Sequence, residues 1–224
     1  MTAPEVGATA EAARNILFVG PRGCGKSYAL QWGLRNRARS IVVDPAHGVD
    51  DADLVSEDVD ELVAWTDDAA RPAAAGGTAP IKPLWRVAWH TPRRTDLGPG
   101  LRDLIDAAER WPGLVTVAVD ELAVVRERGG REALAELEEA GRLGRHRGVS
   151  LWTASQRLRD VTPAILSVTD VVWIYGVAGP RDHEIVVREL SGREMLDAIQ
   201  GLPRYHYVRW ITTTGRWSVE RPVP

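Results

Sequence analysis

The chain has 224 residues and a formal net charge of −3, and 44% of it is hydrophobic, enough for the core of one α/β domain. Its single cysteine excludes an intramolecular disulfide and argues for a reducing compartment. No apolar run is long enough to span a bilayer and no secretory leader is legible, so the expectation is a soluble, cytoplasmic chain without membrane insertion.

Residues 1–13 are Ala, Thr and Glu without a strong period, and are expected to form a flexible segment ahead of a single domain over 14–224. A short apolar strand is predicted over 15–19. It runs into Gly20-Pro21-Arg22-Gly23-Cys24-Gly25-Lys26-Ser27, which fits G-x-x-x-x-G-K-[ST], the Walker A pattern. The glycines let the backbone wrap close, so that successive N–H groups can face phosphate oxygens. Lys26 is placed to reach the β- and γ-phosphates, and the Ser27 hydroxyl to complete the shell of a Mg²⁺ ion. Tyr28 to Arg35 reads as a helix whose N-terminal dipole favours the anion. Gly20 to Tyr28 is thus the expected nucleotide-binding segment.

Ser40 to Asp44 is a second strand, stopped by Pro45 and Gly48. Residues 44–68 are acidic and hold no Lys or Arg; within them Leu54, Val55, Val59, Leu62, Val63 and Trp65 recur at helical spacing. Residues 66–83, with Ala73-Ala74-Ala75-Gly76-Gly77, read as a surface loop. A strand over Leu84–Trp89 and a helix over Leu101–Arg110 follow. Leu114 to Val119 is a fully apolar strand ending in Asp120-Glu121, about ninety residues after the glycine loop. A buried strand ending in an acid is the Walker B arrangement, with Asp120 on the Mg²⁺ side and Glu121 able to act as general base toward water. The interval leaves room for a further strand between the two Walker strands, which marks the branch of P-loop ATPases with a catalytic glutamate.

Arg131 to Ala140 is a predicted helix and Val149 to Ala154 a strand leaving through Ser155-Gln156. Gln156 can present an amide to the γ-phosphate or the attacking water. Val171 to Val177 is another strand, and Pro203 to Glu220 a C-terminal β-hairpin. Strands alternating with helices imply a mostly parallel sheet flanked by helices, the α/β P-loop NTPase class. The nine tryptophans fall mostly on predicted elements and are expected in the core or at subunit contacts.

Four blocks carry a resemblance: Asp44-Pro45-Ala46-His47-Gly48, Val119-Asp120-Glu121, Gly144-Arg145-His146-Arg147-Gly148 and Thr153-Ala154-Ser155-Gln156. Over about residues 14–180 the chain resembles the HerA/FtsK superfamily of DNA-pumping ATPases, and in size the genome-packaging ATPases of double-stranded DNA viruses with an internal membrane. The resemblance implies a RecA-like core, ATP and Mg²⁺ as cofactors, and a homo-oligomeric ring, often a hexamer. It also implies sequence-independent movement of double-stranded DNA, with a capsid vertex or viral membrane protein as a further partner, in the host cytoplasm or the virion. Lys26, Ser27, Asp120, Glu121 and Gln156 take the roles above. Arg142, Arg145 and Arg147 are candidates for a finger inserted into the neighbouring subunit's site, Arg145 first; the alternative is that they cap the helix ending at Ala140. Arg126, Arg128 and Arg131 around Gly129-Gly130, or Arg93 and Arg94, could form loops for DNA phosphates, or be ordinary solvated charges. His47 is read as a turn residue.

Other nucleotide classes fit poorly. The N-K-x-D guanine motif is missing, Leu190-Ser191-Gly192 falls on the wrong side of Walker B for an ABC signature, and a nucleotide kinase needs no catalytic glutamate. Phage-assembly ATPases of the Zot type and conjugation motors share similar blocks and are the main alternative, acting on protein or single-stranded DNA. A module that binds ATP only to set its oligomeric state is a third.

Overall fold

A computed structural model describes residues 14–71, 84–92 and 96–224. The expectations for 1–13, for most of the 66–83 loop and for Arg93 and Arg94 therefore lie outside the described residues. Runs rich in Val, Ile and Trp form β1 (Ile16–Val19), β2 (Arg39–Asp44), β3 (Leu54–Ser56), β4 (Trp85–His90) and β5 (Val115–Asp120). They continue as β6 (Val149–Ser155), β7 (Val171–Ile174), β8 (Tyr207–Ile211) and β9 (Trp217–Glu220). All nine join one sheet in the order β3-β4-β2-β5-β6-β1-β7-β8-β9. Every pairing from β3 to β7 is parallel, and only the terminal β7–β8 and β8–β9 pairs are antiparallel. A strand does lie between the two Walker strands β5 and β1 in the sheet; it is β6, which follows β5 in the chain.

The helices are α1 (Lys26–Arg35), α2 (Val59–Ala70), α3 (Leu97–Arg110), α4 (Leu122–Arg147), α5 (Pro163–Val168), α6 (Pro180–Ile185) and α7 (Gly192–Gln200); α6 passes into a π-helical turn, Val186–Leu190. Because successive strand residues face opposite ways, each strand feeds two cores. Ile41, Val43, Val117 and Val119 meet Leu62, Leu101, Leu104, Leu122 and Leu137 under α2, α3 and α4. On the same face, Leu17, Val172 and Ile174 meet Met195, Leu196 and Ile199 of α7. The opposite face packs Phe18, Val42, Ala118, Trp152 and Trp173 on Leu30 and Leu34 of α1, with Val49 and the distant Val223 alongside. Six of the nine tryptophans are buried, among them Trp89 and Trp152 at 1% exposure each, which places them in the core.

Three local expectations are corrected. Leu54 and Val55 belong to an edge strand, paired to Val87 and Ala88 of β4, and the helix starts only at Val59 behind the Asp58 cap. Their apolar spacing suits either element; the backbone hydrogen bonds offered by β4 decide it. The helix expected over 131–140 is the 26-residue α4, broken only at Gly130 (φ 57, ψ −145). Paired glycines disfavour a helix by about 1 kcal/mol each, but Val125, Ala133 and Leu137 bury against the main core on both sides of the break. Helices over 163–168 and 180–200 were not anticipated, although Thr162, whose hydroxyl accepts from Ile165 N, and Pro163 at the first turn are ordinary start signals.

Candidate nucleotide-binding and catalytic site

Register brings the site together. Val19 pairs with Ser155, Asp120 with Ala154 and Val43 with Val119, so β1, β6, β5 and β2 end at one level. The loops that follow them open along the carboxyl edge of the sheet, where open α/β sheets bind ligands.

The glycine loop leaves β1 with Gly20 N donating to Ser155 O at 3.1 Å. Gly25 adopts φ 100 at the helix entrance, a conformation that side chains rarely take. α1 then starts at Lys26 with no side chain capping it, so its first-turn N–H groups are left for an anion. Lys26 is buried at 7% exposure, while Pro21, Arg22 and Gly23 form the open rim. Cys24 is half-buried, and that burial pushes its thiol pKa up. Tyr28 is exposed, and its hydroxyl donates to the Pro224 carbonyl at 2.7 Å.

Ser27 Oγ donates to Asp120 Oδ1 at 3.0 Å. Burial raises the Asp120 carboxyl pKa, and the Ser27 hydrogen bond and the nearby Lys26 charge pull it partly back. Among the described residues no cluster of three or more metal-ligating side chains occurs. Mg²⁺ does not require one, because it keeps waters and takes phosphate oxygens beside one or two protein ligands. The hydroxyl and the buried carboxylate, already in contact, are a hard-oxygen pair that fits such an ion.

Glu121 follows Asp120 with φ 136 and ψ 85. A non-glycine residue there holds strain of about 1–3 kcal/mol. Its Oε2 accepts from Gln156 Nε2 at 2.8 Å, whereas Oε1 is buried with no partner among the described residues. Gln156, expected to face phosphate or water, is thus engaged with Glu121 in this state. One carboxylate oxygen is pinned and the other is free to accept.

Asp44, fully buried at the end of β2, accepts from Ala46 N, Gly48 N and Val49 N at 3.1, 2.7 and 2.8 Å, which builds the turn after the strand. His47 occupies that turn with φ 54 and stacks on His90 at 4.6 Å. It is the turn residue expected.

The arginines distribute differently. Arg126 and Arg128 lie in α4, so the expected pore-facing loop is a helix there. Arg126 pairs with Asp160 at 3.1 Å, and Arg128 bonds Thr91 Oγ1 and the Pro92 carbonyl. Arg131 is exposed just past the break. Arg142, Arg145 and Arg147 continue α4 instead of following it, as that helix ends at Arg147 and not Ala140. Arg147 is held by Glu109 at 3.0 Å and Arg142 is exposed; the Arg145 side chain lies outside what is described. The backbone of these residues precedes β6 and so lies toward the amino edge of the sheet, roughly 30–40 Å of helical rise past Glu121.

A cavity of about 560 Å³ adjoins the glycine loop, between Gly25, Lys26 and Tyr28 on one side and Tyr175, Tyr205 and Val223 on the other. No local motif marks the last three. A larger cavity of about 910 Å³ lies at the opposite edge, lined by Arg35, Arg37 and Arg86 with Asp51, away from these groups.

No protein-family model and no curated protein matches the chain. Solved structures do. The genome-packaging NTPase B204 of Sulfolobus turreted icosahedral virus 2, in complex with AMPPCP, superposes with a TM-score of 0.72 at 15% identity, over 96% of this chain and 100% of that one. Its fold is this fold. The same NTPase with ATP-gammaS gives 0.72 at 16% identity, over 95% and 98% of the two chains. VirB4 of Thermoanaerobacter pseudethanolicus gives 0.64 at 12% identity, over 94% and 89%. The expected mostly parallel sheet flanked by helices, with its C-terminal hairpin, is borne out, and it is the fold that these NTPases share. No helix among the described residues is long and apolar enough to cross a membrane.

Proposed function

We propose that this chain is an ATP-hydrolysing motor that moves double-stranded DNA without sequence preference, in viral genome packaging. The observation that carries hydrolysis is the buried Oε1 of Glu121, without a partner among the described residues, beside the Ser27–Asp120 pair at the foot of an uncapped helix. Lys26 and the first-turn N–H groups hold the phosphates. Ser27 and Asp120 hold Mg²⁺, which supplies neutralisation of charge on the phosphate oxygens. Glu121 Oε1 accepts the proton of the attacking water, a contribution of about 10²–10⁴-fold. Gln156 fixes the orientation of that carboxylate. Arg142 or Arg145 of an adjacent subunit supplies the positive charge that the site lacks in one chain, within a ring, often a hexamer in motors of this type.

Support for the cargo comes from the packaging NTPase, which matches end to end with a higher TM-score than VirB4. The VirB4 likeness keeps a conjugation-type or Zot-like assembly ATPase as the second reading, with protein or single-stranded DNA as cargo. Displacement of a third strand from a triplex tests movement. ATP-dependent release on duplex of any sequence, lost in Lys26→Ala, is expected. Robust hydrolysis with no displacement would shift the assignment to the assembly class.

A further inference from the structure

Three of the four tyrosines, Tyr28, Tyr175 and Tyr205, line the cavity beside the glycine loop, yet the phosphate and metal chemistry uses none of them. Tyr205 belongs to the turn before β8 and has φ 66, a strained value for a tyrosine. The turn holds it on the loop: a β-carbon placed on Gly25 would lie 3.3 Å from Tyr205 Cδ1. Tyr205 is 42% exposed and lines the cavity, and the Arg204 guanidinium lies over its ring at 4.6 Å from the centroid. The segment after β9 closes the far side. Val223 packs into the core cluster of the α1 face, and Tyr28 holds the Pro224 carbonyl at 2.7 Å.

Tyr175 adds ring surface to the wall, its hydroxyl oxygen being buried. It follows β7, is 8% exposed, and its hydroxyl has no hydrogen-bond partner among the described residues. Burial pushes its pKa up, so it stays a neutral donor and acceptor. The remaining walls, Tyr205, Pro222 and Val223, present rings and methyl groups. Among the described residues that line the cavity there is no Asp, Asn, Gln or Arg side chain to read one base edge against another.

We propose that this cavity is the nucleobase site, in which the Tyr205 ring stacks the base. It rests on the nucleotide reading above and goes beyond it in specificity: the site takes adenine and guanine nucleotides with little discrimination. Selectivity of 10⁴–10⁵ needs buried polar groups that a wrong base leaves unpaired, and a stacking wall has none. Stacking on an aromatic ring contributes about 1–3 kcal/mol per base.

Equilibrium binding of ATP, GTP and inorganic tripolyphosphate to the full chain tests this, with tripolyphosphate reporting the glycine loop alone. ATP and GTP should bind within about threefold of each other. Tyr205→Ala should weaken both by roughly tenfold or more, about 1.4 kcal/mol for each factor of ten, and leave tripolyphosphate unchanged. Tyr205→Phe should retain wild-type affinity, which guards against a folding defect in the alanine variant. An equal loss for tripolyphosphate in Tyr205→Ala, no loss for the nucleotides, or a hundredfold preference for one base would overturn the proposal. Absence of all binding by the wild type, or binding that survives Lys26→Ala unchanged, would overturn the nucleotide reading itself and this one with it.

Discussion

Asp120 carries a conflict between folding and function that can be measured. Its carboxyl is buried at the end of β5, and desolvation, the largest influence on it, raises its pKa. An acid whose folded pKa is raised contributes stability that is full below the unfolded value, about 3.9, and lost as pH rises through the higher folded value. At neutral pH the charged form therefore costs stability in the free protein. Asp120→Asn should melt at a higher temperature than wild type at pH 7 without nucleotide, and the difference should close below about pH 4. The same variant should lose Mg²⁺-dependent nucleotide binding. A melting temperature lowered at pH 7 would show that the charge is already compensated by Lys26 and Ser27. Glu121 presents the same tension through its backbone, since a strained φ of 136 persists only where the surroundings enforce it. Gln156 holds the side chain of that residue through Oε2.

At the scale of elements, α4 links the two ends of the domain, from Leu122 beside the acid pair to Arg147 ahead of β6. Its break at Gly130, with ψ near −145, lies in a region that is essentially reserved for glycine. Gly130→Ala should cost about 1–3 kcal/mol in denaturant unfolding, with Gly129 and the flanking helical turns retained. An unchanged midpoint would mean that the helix can run straight through. The glycine pair also shows where the sequence could be read and where it could not. The glycine loop, the acid pair and Gln156 were legible because each depends on residue type at a fixed local spacing. The sheet was legible because buried parallel strands are short, continuous apolar runs. α4 was read too short because its continuity depends on Val125, Ala133 and Leu137 packing against distant partners, which no local propensity reports. The edge strand at Leu54 failed for the same reason, as its hydrogen-bond partner is thirty residues away in β4. Tyr175, Tyr205 and Val223 come to the site from three separate stretches, and only the tertiary fold joins them.

At the scale of the whole molecule, the sheet has a nucleotide edge and an arginine edge on opposite sides. The backbone of Arg142 and Arg145 lies toward the edge opposite the glycine loop, so a role for them in hydrolysis requires a neighbour that presents its amino edge to this one's glycine loop. An arginine of that kind is worth 10³–10⁵ in rate. Arg145→Ala and Glu121→Gln should each be inactive alone, yet mixing the two should restore hydrolysis, since some interfaces then join an intact Glu121 to an intact Arg145. No recovery on mixing, with oligomers shown to exchange subunits, would remove Arg145 from the site and pass the test to Arg142. The motor reading also predicts that stimulation by DNA falls steeply with salt, because contacts to phosphates release counterions.

Steady-state ATP hydrolysis with and without duplex DNA, in wild type and in Glu121→Gln, tests the central claim most directly. The expected result is turnover that rises with duplex of any sequence and falls by about 10²–10⁴-fold in the variant, while ATP binding is kept. Turnover in Glu121→Gln equal to wild type, or no turnover in wild type at high protein concentration with Mg²⁺ present, would contradict it.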